Sequence, residues 1–257
     1  DAWSLMRGNE IGWGSAEVLA SIGLAVALLL GFVFWVRRAA DPIVPPRLFA
    51  AKGFGAGLIT AFCLYGALYA TLFFITQFLQ VAQGFGAMEA GLRLLPWTAT
   101  LFFTAPIAGS LVNRLGERRL VVTGLALNTI GLAWLGLTAS VGLSLGEMAP
   151  ALVLMGVGVS MAMPSLQSGI MRTVRPADIG KASGAFSMSQ FIGGAFGVAI
   201  TASVFSAFGS YQGPDAFTAG FQAVIGCAAL FTAIGAIAAF GLRGGVQQPG
   251  ALASEPI

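Results

Sequence analysis

Histidine is missing from this 257-residue chain, and charged residues make up only 9% of it. Without imidazole, histidine-assisted nucleophilic catalysis and the commonest zinc and haem ligation lose a required group. There are two cysteines, Cys63 and Cys227, both inside apolar stretches. That argues against a disulfide framework or a thiolate metal centre, and they read as small buried hydrophobes. Soluble domains carry about 25% charged residues, so a water-soluble enzyme fold is excluded as well. No segment interleaves clustered basic residues with aromatics, which removes nucleic-acid binding, and there is no glycine-rich phosphate loop.

What the chain has is apolar length. Hydrophobic residues reach 57%, mean hydropathy is +0.86, and there are 36 glycines, a number suited to closely packed membrane helices. Seven runs are free of Asp, Glu, Lys and Arg or carry one only at a border: 16–36, 53–78, 94–112, 120–139, 148–171, 182–208 and 216–242. Each is long enough to cross about 30 Å of hydrocarbon as a helix rising 1.5 Å per residue. The runs are apolar almost all round, whereas a β-barrel would show short alternating segments. In lipid a lone segment must satisfy its own backbone, so the expected fold is all-α, a membrane protein with seven transmembrane helices.

The connections sort by charge. Arg37, Arg38, Arg47 and Lys52, then Arg114, Arg118 and Arg119, then Arg172, Arg175 and Lys181, and finally Arg243 fall on one side; Arg7 and Arg93 fall on the other. Eleven basic residues against two, alternating with every run, place the C-terminus in the cytoplasm and segment 1–15 outside. The connection 37–52 holds DPIVPP, a proline-stiffened cytoplasmic linker that sets 16–36 apart from a bundle of six helices over 53–242. The tail 243–257 is polar and rich in Gly and Pro, which predicts disorder in the cytoplasm. An outside N-terminus that begins at Asp1 with no signal peptide reads as a piece of something longer, preceded by an odd number of spans.

No ionisable side chain lies near the middle of any run, which argues against a proton relay or ion site made wholly from these residues. Uncharged candidates remain. Phe62, Tyr65, Tyr69, Phe73 and Gln80 recur at helical spacing on one face. Such a stripe suits a cavity for bulky, apolar or cationic ligands, or else helix packing and lipid contact. Gln77 falls at the outer end, as an interfacial residue. Gln167 follows Pro164 in PSLQS and needs a partner at depth, either a cavity ligand or another helix. Pro164, like Pro96 and Pro106, predicts a kink. Gly193 and Gly197 form a GxxxG step for close helix packing, with Ser187 and Gln190 on the preceding turns as cavity candidates. The stretch 109–119, GSLVNRLGERR, reads as a short loop forcing an antiparallel hairpin. Its arginines anchor topology or hold neighbouring helix C-termini.

That loop resembles the signature between two helices of major facilitator superfamily transporters, roughly G-x-L-A-D-R-x-G-R-[RK]. Gly109, Leu111, Arg114, Gly116 and Arg118 match; Asn113 stands where the pattern has Asp, and Glu117 where it has a basic residue. The stretches GNEIGWGS, DPIVPPRLF, QFLQVAQGFGAMEAGLRLLP and SQFIGGAFGVA are similar to the fourteen-span drug:proton antiporters. The resemblance implies a C-terminal half: run 16–36 as an extra central helix, then a six-helix bundle of two inverted three-helix repeats. It implies a proton-coupled multidrug exporter of hydrophobic or cationic small molecules working by alternating access, neither an enzyme nor a holder of a cofactor. The proton gradient drives it, and the proton-linked carboxylates sit in the other half. It implies a conformational loop at Gly109, Asn113, Arg114, Gly116 and Arg118 that lacks its aspartate. The partners expected are the cell-membrane bilayer, that N-terminal half and the substrate. The alternatives are a transporter of one narrow metabolite and a seven-helix receptor. Against the receptor, the last span has no lysine for a retinal Schiff base, and no pair of outer cysteines is available.

Overall fold

A computed structural model of the chain describes residues 48, 49, 51 and 53–242, with the backbone alone for 112–114. The first run 16–36, the segment 1–15, most of the linker 37–52 and the tail 243–257 lie outside the described residues. Seven helices follow in order: α1 (Phe54–Gln77), continued by a π-helical turn (Phe78–Ala82), α2 (Ala87–Arg93), α3 (Leu95–Leu115), α4 (Glu117–Thr138), α5 (Leu145–Met171), α6 (Ile179–Phe208) and α7 (Pro214–Ala239). No strand occurs among the described residues. α1, α4, α5, α6 and α7 are each long and apolar enough to cross a membrane, and α2 with α3 qualifies as one span bent by 44°. The six runs from 53 onward are therefore all found as helices.

Local chemistry sets the ends. Ser144 caps α5: its hydroxyl accepts from the Glu147 amide, and the Glu147 carboxylate accepts from the Ser144 amide in return. Two amides that the first turn leaves unpaired are thereby satisfied. Ser144→Ala is expected to destabilise by about 1 kcal/mol, read as a lower unfolding midpoint in detergent.

Two corrections to the sequence reading arise here. The expected loop 109–119 is not a loop. Gly109, Asn113 and Arg114 lie within α3, and Glu117 and Arg118 lie in the first turn of α4. Gly116 alone joins them, at φ 80° and ψ 151°, a conformation that side-chain-bearing residues resist. The kink expected at Pro96 is also displaced. Pro96 is the second residue of α3, where its missing amide costs nothing, and the bend falls before it. α5 runs unbroken through Pro164.

The helices pack in a reciprocal pattern. α5 lies against α3 and α4, α4 against α7, α7 against α1, and α1 against α6. Exchanging α1 with α5, α3 with α6 and α4 with α7 maps these neighbours onto themselves. Three spans carry the chain to the opposite side, so the second unit of three runs inverted with respect to the first. Small residues permit the closest approaches: a Cβ on Gly124 of α4 would lie 2.5 Å from the Gly158 carbonyl oxygen of α5. Hydroxyls link helices where hydrophobic contact does not discriminate, as in the 2.8 Å Thr129–Thr232 bond between α4 and α7. Stacked Phe78 and Phe221, 4.3 Å apart, fill the core at one end; Phe54, Leu166 and Ile170 fill it at the other.

Candidate functional site

The aromatic stripe of α1 meets the GxxxG step of α6, and that meeting organises the site. A Cβ on Gly193 would fall on the Phe62 backbone, and one on Gly197 on the Gly66 backbone, so the two helices touch main chain to main chain. Ser189 fastens them, its hydroxyl donating to the Leu58 carbonyl at 2.7 Å. With the backbones this close, larger neighbours are turned outward along the seam.

The stripe then divides. Phe62 points between helices, half-buried, with its ring 6.3 Å from Phe196 of α6 and 6.4 Å from Phe231 of α7. Tyr65 is buried and edge-on to Phe186. Tyr69, 43% exposed, lies 6.5 Å from Tyr65 and covers Gly194, where a Cβ would strike its ring. Together with Phe191, Ala195 and Val198, Tyr69 and Gly194 line an open groove of about 380 Å³. Phe73 is exposed and edge-on to Phe74, and Gln80 is carried into the π-helical turn, off the α-helical register that the spacing assumed. Ser187 is half-buried on the same helix as Gln190.

Gln167 does not join this group. It is exposed on α5, a helix whose main partners are α3 and α4. Its side chain lies at the surface of the bundle rather than between these helices.

The basic end holds a residue that sequence reading passed over. Glu117, 2% exposed, forms a 2.9 Å ion pair with Arg172, the C-cap of α5, and Ser168 donates to the same carboxylate oxygen at 3.4 Å. Gly169 leaves room for it, since a Cβ there would meet the Glu117 Cβ at 3.3 Å. A carboxylate in a first turn and a cation at a C-terminus each sit at the favourable end of their helix. The signal was present: Glu117 is the acid standing where the resembled pattern has a base. Beside it, the Arg118 guanidinium lies 5.4 Å from the Phe240 ring at the C-cap of α7. The side chains of Asn113 and Arg114 are outside the described residues.

At the opposite end the Tyr211 hydroxyl donates to Gln77 Oε1 at 2.8 Å, tying the α6–α7 connection to the end of α1. Partial burial pushes that phenol above its ordinary value of 10, so it remains a donor at neutral pH. The exposed residues of α4 and α7 are of another character: Ile130, Trp134, Leu137, Leu230, Ile234 and Ile237 present a broad hydrophobic surface.

The family model described as Major Facilitator Superfamily matches this chain over residues 8–198 and 59–252. The Multidrug resistance protein Stp of Mycobacterium tuberculosis is 30% identical over 206 residues, covering 80% of this chain and 38% of that protein. The Cephamycin export protein CmcT of Amycolatopsis lactamdurans is 30% identical over 198 residues, covering 76% and 41%. The Tetracenomycin C resistance and export protein of Streptomyces glaucescens is 28% identical over 199 residues, covering 77% and 37%. The chain thus matches well under half the length of these curated relatives.

Proposed function

This chain belongs to the Major Facilitator Superfamily, and from that membership we propose that it is the C-terminal half of a proton-coupled multidrug exporter. The basic end faces the cytoplasm of a cell whose membrane it spans. The bundle rocks against an N-terminal half around a cavity near the midplane, driven by the proton gradient through carboxylates carried by that other half. Its substrates are hydrophobic small molecules, cationic ones among them. The drug-resistance and antibiotic-export names of the relatives support the reading.

The observation that carries it is the α1–α6 seam. The faces of Tyr69 and Phe191 line an open apolar groove, Tyr65 is buried next to Tyr69, and no charged group lies on either helix at that depth. A wall with broad faces and few directional bonds accommodates many shapes, the usual basis of broad specificity. One lost aromatic contact of about 1 kcal/mol is roughly a fivefold loss of affinity. Growth inhibition by a panel of unrelated dyes and antibiotics, in a sensitive bacterium expressing the full gene product, is the test. Resistance to several compounds, reduced by Tyr69→Ala, is expected. Resistance to none, with uptake or release of a single metabolite instead, would establish the narrow-substrate reading.

A further inference from the structure

We propose that α2 is a strap across the end of the bundle opposite the basic one, seated by the Arg93 guanidinium on the Phe85 ring and able to lift between two joints. It takes its purpose, opening and closing that end, from the transport reading. The chain before the strap is fixed. Phe78 and Leu79 of the π-helical turn are buried, and Phe78 stacks on Phe221. Gln83, at the end of that turn, donates from Nε2 to the Leu143 carbonyl of the α4–α5 connection at 3.0 Å. The Phe85 amide donates back to the Leu79 carbonyl at 3.0 Å, and the Phe85 ring packs against the core. α2 is held far less. Ala90 is its one buried residue, Met88 is 80% exposed, and its main contacts are the π-helical turn and α3, its neighbours in sequence. A segment with so little buried apolar surface lies at the low end of local stability.

Both ends of α2 can turn. Gly86 leads into it at φ −65° and ψ 161°, with open space where a Cβ would stand, and Gly84 before it has φ 74°. After Arg93 the axis bends by 44°, and Pro96 has no amide to carry the helical ladder across the break. The matching helix of the second unit, α6, runs unbroken from Ile179 to Phe208, so the jointed piece belongs to this end alone. One contact bridges the Gly86 joint: the Arg93 guanidinium lies 3.6 Å from the centroid of the Phe85 ring, on the fixed part. Glu89 pairs with Arg93 at 3.5 Å, but both stand on α2 and move together. Seating also carries a cost. Arg93 Nε and Trp97 Nε1 are buried without a hydrogen-bond partner, and lifting the strap returns the first to water. A favourable ring contact set against a stranded donor keeps the two positions close in free energy, as a moving part requires.

Spin labels at Met88 on α2 and at Gln212 in the α6–α7 connection, both exposed, read the distance in the purified full gene product in detergent, with native cysteines replaced by alanine. Phe85→Leu keeps the bulk and removes the ring face, so the ratio of lifted to seated strap should rise about fivefold. Glu89→Gln should leave the ratio unchanged. Labels at Ser140 and Gln212, both on the fixed frame, should show one distance in every variant. Gly86→Pro, which fixes φ near its present value, should narrow the Met88 distribution to the seated distance. A Met88 distribution unmoved by Phe85→Leu overturns the proposal. So does an equal response in Glu89→Gln or in the Ser140 pair, because the whole end would then be loosening. The readout needs neither substrate nor gradient. A strap that lifts in a protein conferring no resistance would sink the export reading alone, and broad resistance with Met88 fixed in every variant would sink the strap alone.

Discussion

Replacing Arg172 with alanine is expected to lower the unfolding midpoint of the protein in detergent by roughly 8 °C, from a loss of about 3 kcal/mol. The reasoning is asymmetric. Glu117 is 2% exposed, whereas Arg172 is 38% exposed, so the arginine alone is easily returned to solvent and the acid is not. Removing Arg172 leaves a carboxylate enclosed by α4 and α5 with only the Ser168 hydroxyl at 3.4 Å to answer it. The exposure of Arg172 sets the figure at the low end for a broken buried pair, because solvent screens part of the attraction. Glu117→Gln tests the cause. In an Arg172→Ala background it removes the stranded charge while keeping the shape, so the double variant should recover much of the loss. Additive losses would mean that the arginine acts through packing. Neither measurement depends on knowing the substrate.

Gly197→Leu is expected to be more damaging still. A Cβ at this position falls on the main chain of Gly66, which has no rotamer through which to yield, so the helices must separate. Overpacking usually costs about 1–3 kcal/mol, and a backbone-to-backbone clash belongs at the top of that range or beyond. Separation also carries Tyr69 away from Gly194, so the groove opens along with the seam. The variant should be recovered from membranes in low yield, with a broadened size-exclusion profile. Gly226→Leu on α7 serves as the comparison: nothing lies within 4 Å of a Cβ there, and the profile should match the wild type. If both variants behave alike, the closeness of α1 and α6 is not what the fold depends on.

Between them these two sites mark what could and could not be read from the chain. Gly193 and Gly197 are visible as a pair because helical spacing puts them on one face, but nothing in their spacing names the partner, and α1 is five elements away. Glu117 is visible as a departure from a pattern, but its partner is 55 positions further on in the numbering, across the whole of α4 and α5. Gln167 is legible as a polar residue inside a greasy run, but only the rotation of α5 shows that its side chain lies at the surface of the bundle. The stretch 109–119 misleads for a different reason. Its charges and glycines look like a loop, but charged residues at the ends of spans remain helical, and the turn needs one residue only.

Apolar length and the absence of mid-span charge determined that the six described runs from 53 onward become helices suited to a membrane, and where they end to within a few residues. Those properties follow from each segment's own transfer between water and lipid and from hydrogen bonds made within it. Which helices touch, which faces meet, that Tyr65 finds Phe186 and that Glu117 finds Arg172 were decided only in the tertiary structure. Between greasy helices lipid is as good a neighbour as leucine, so steric fit and a few hydrogen bonds between distant segments choose the partners.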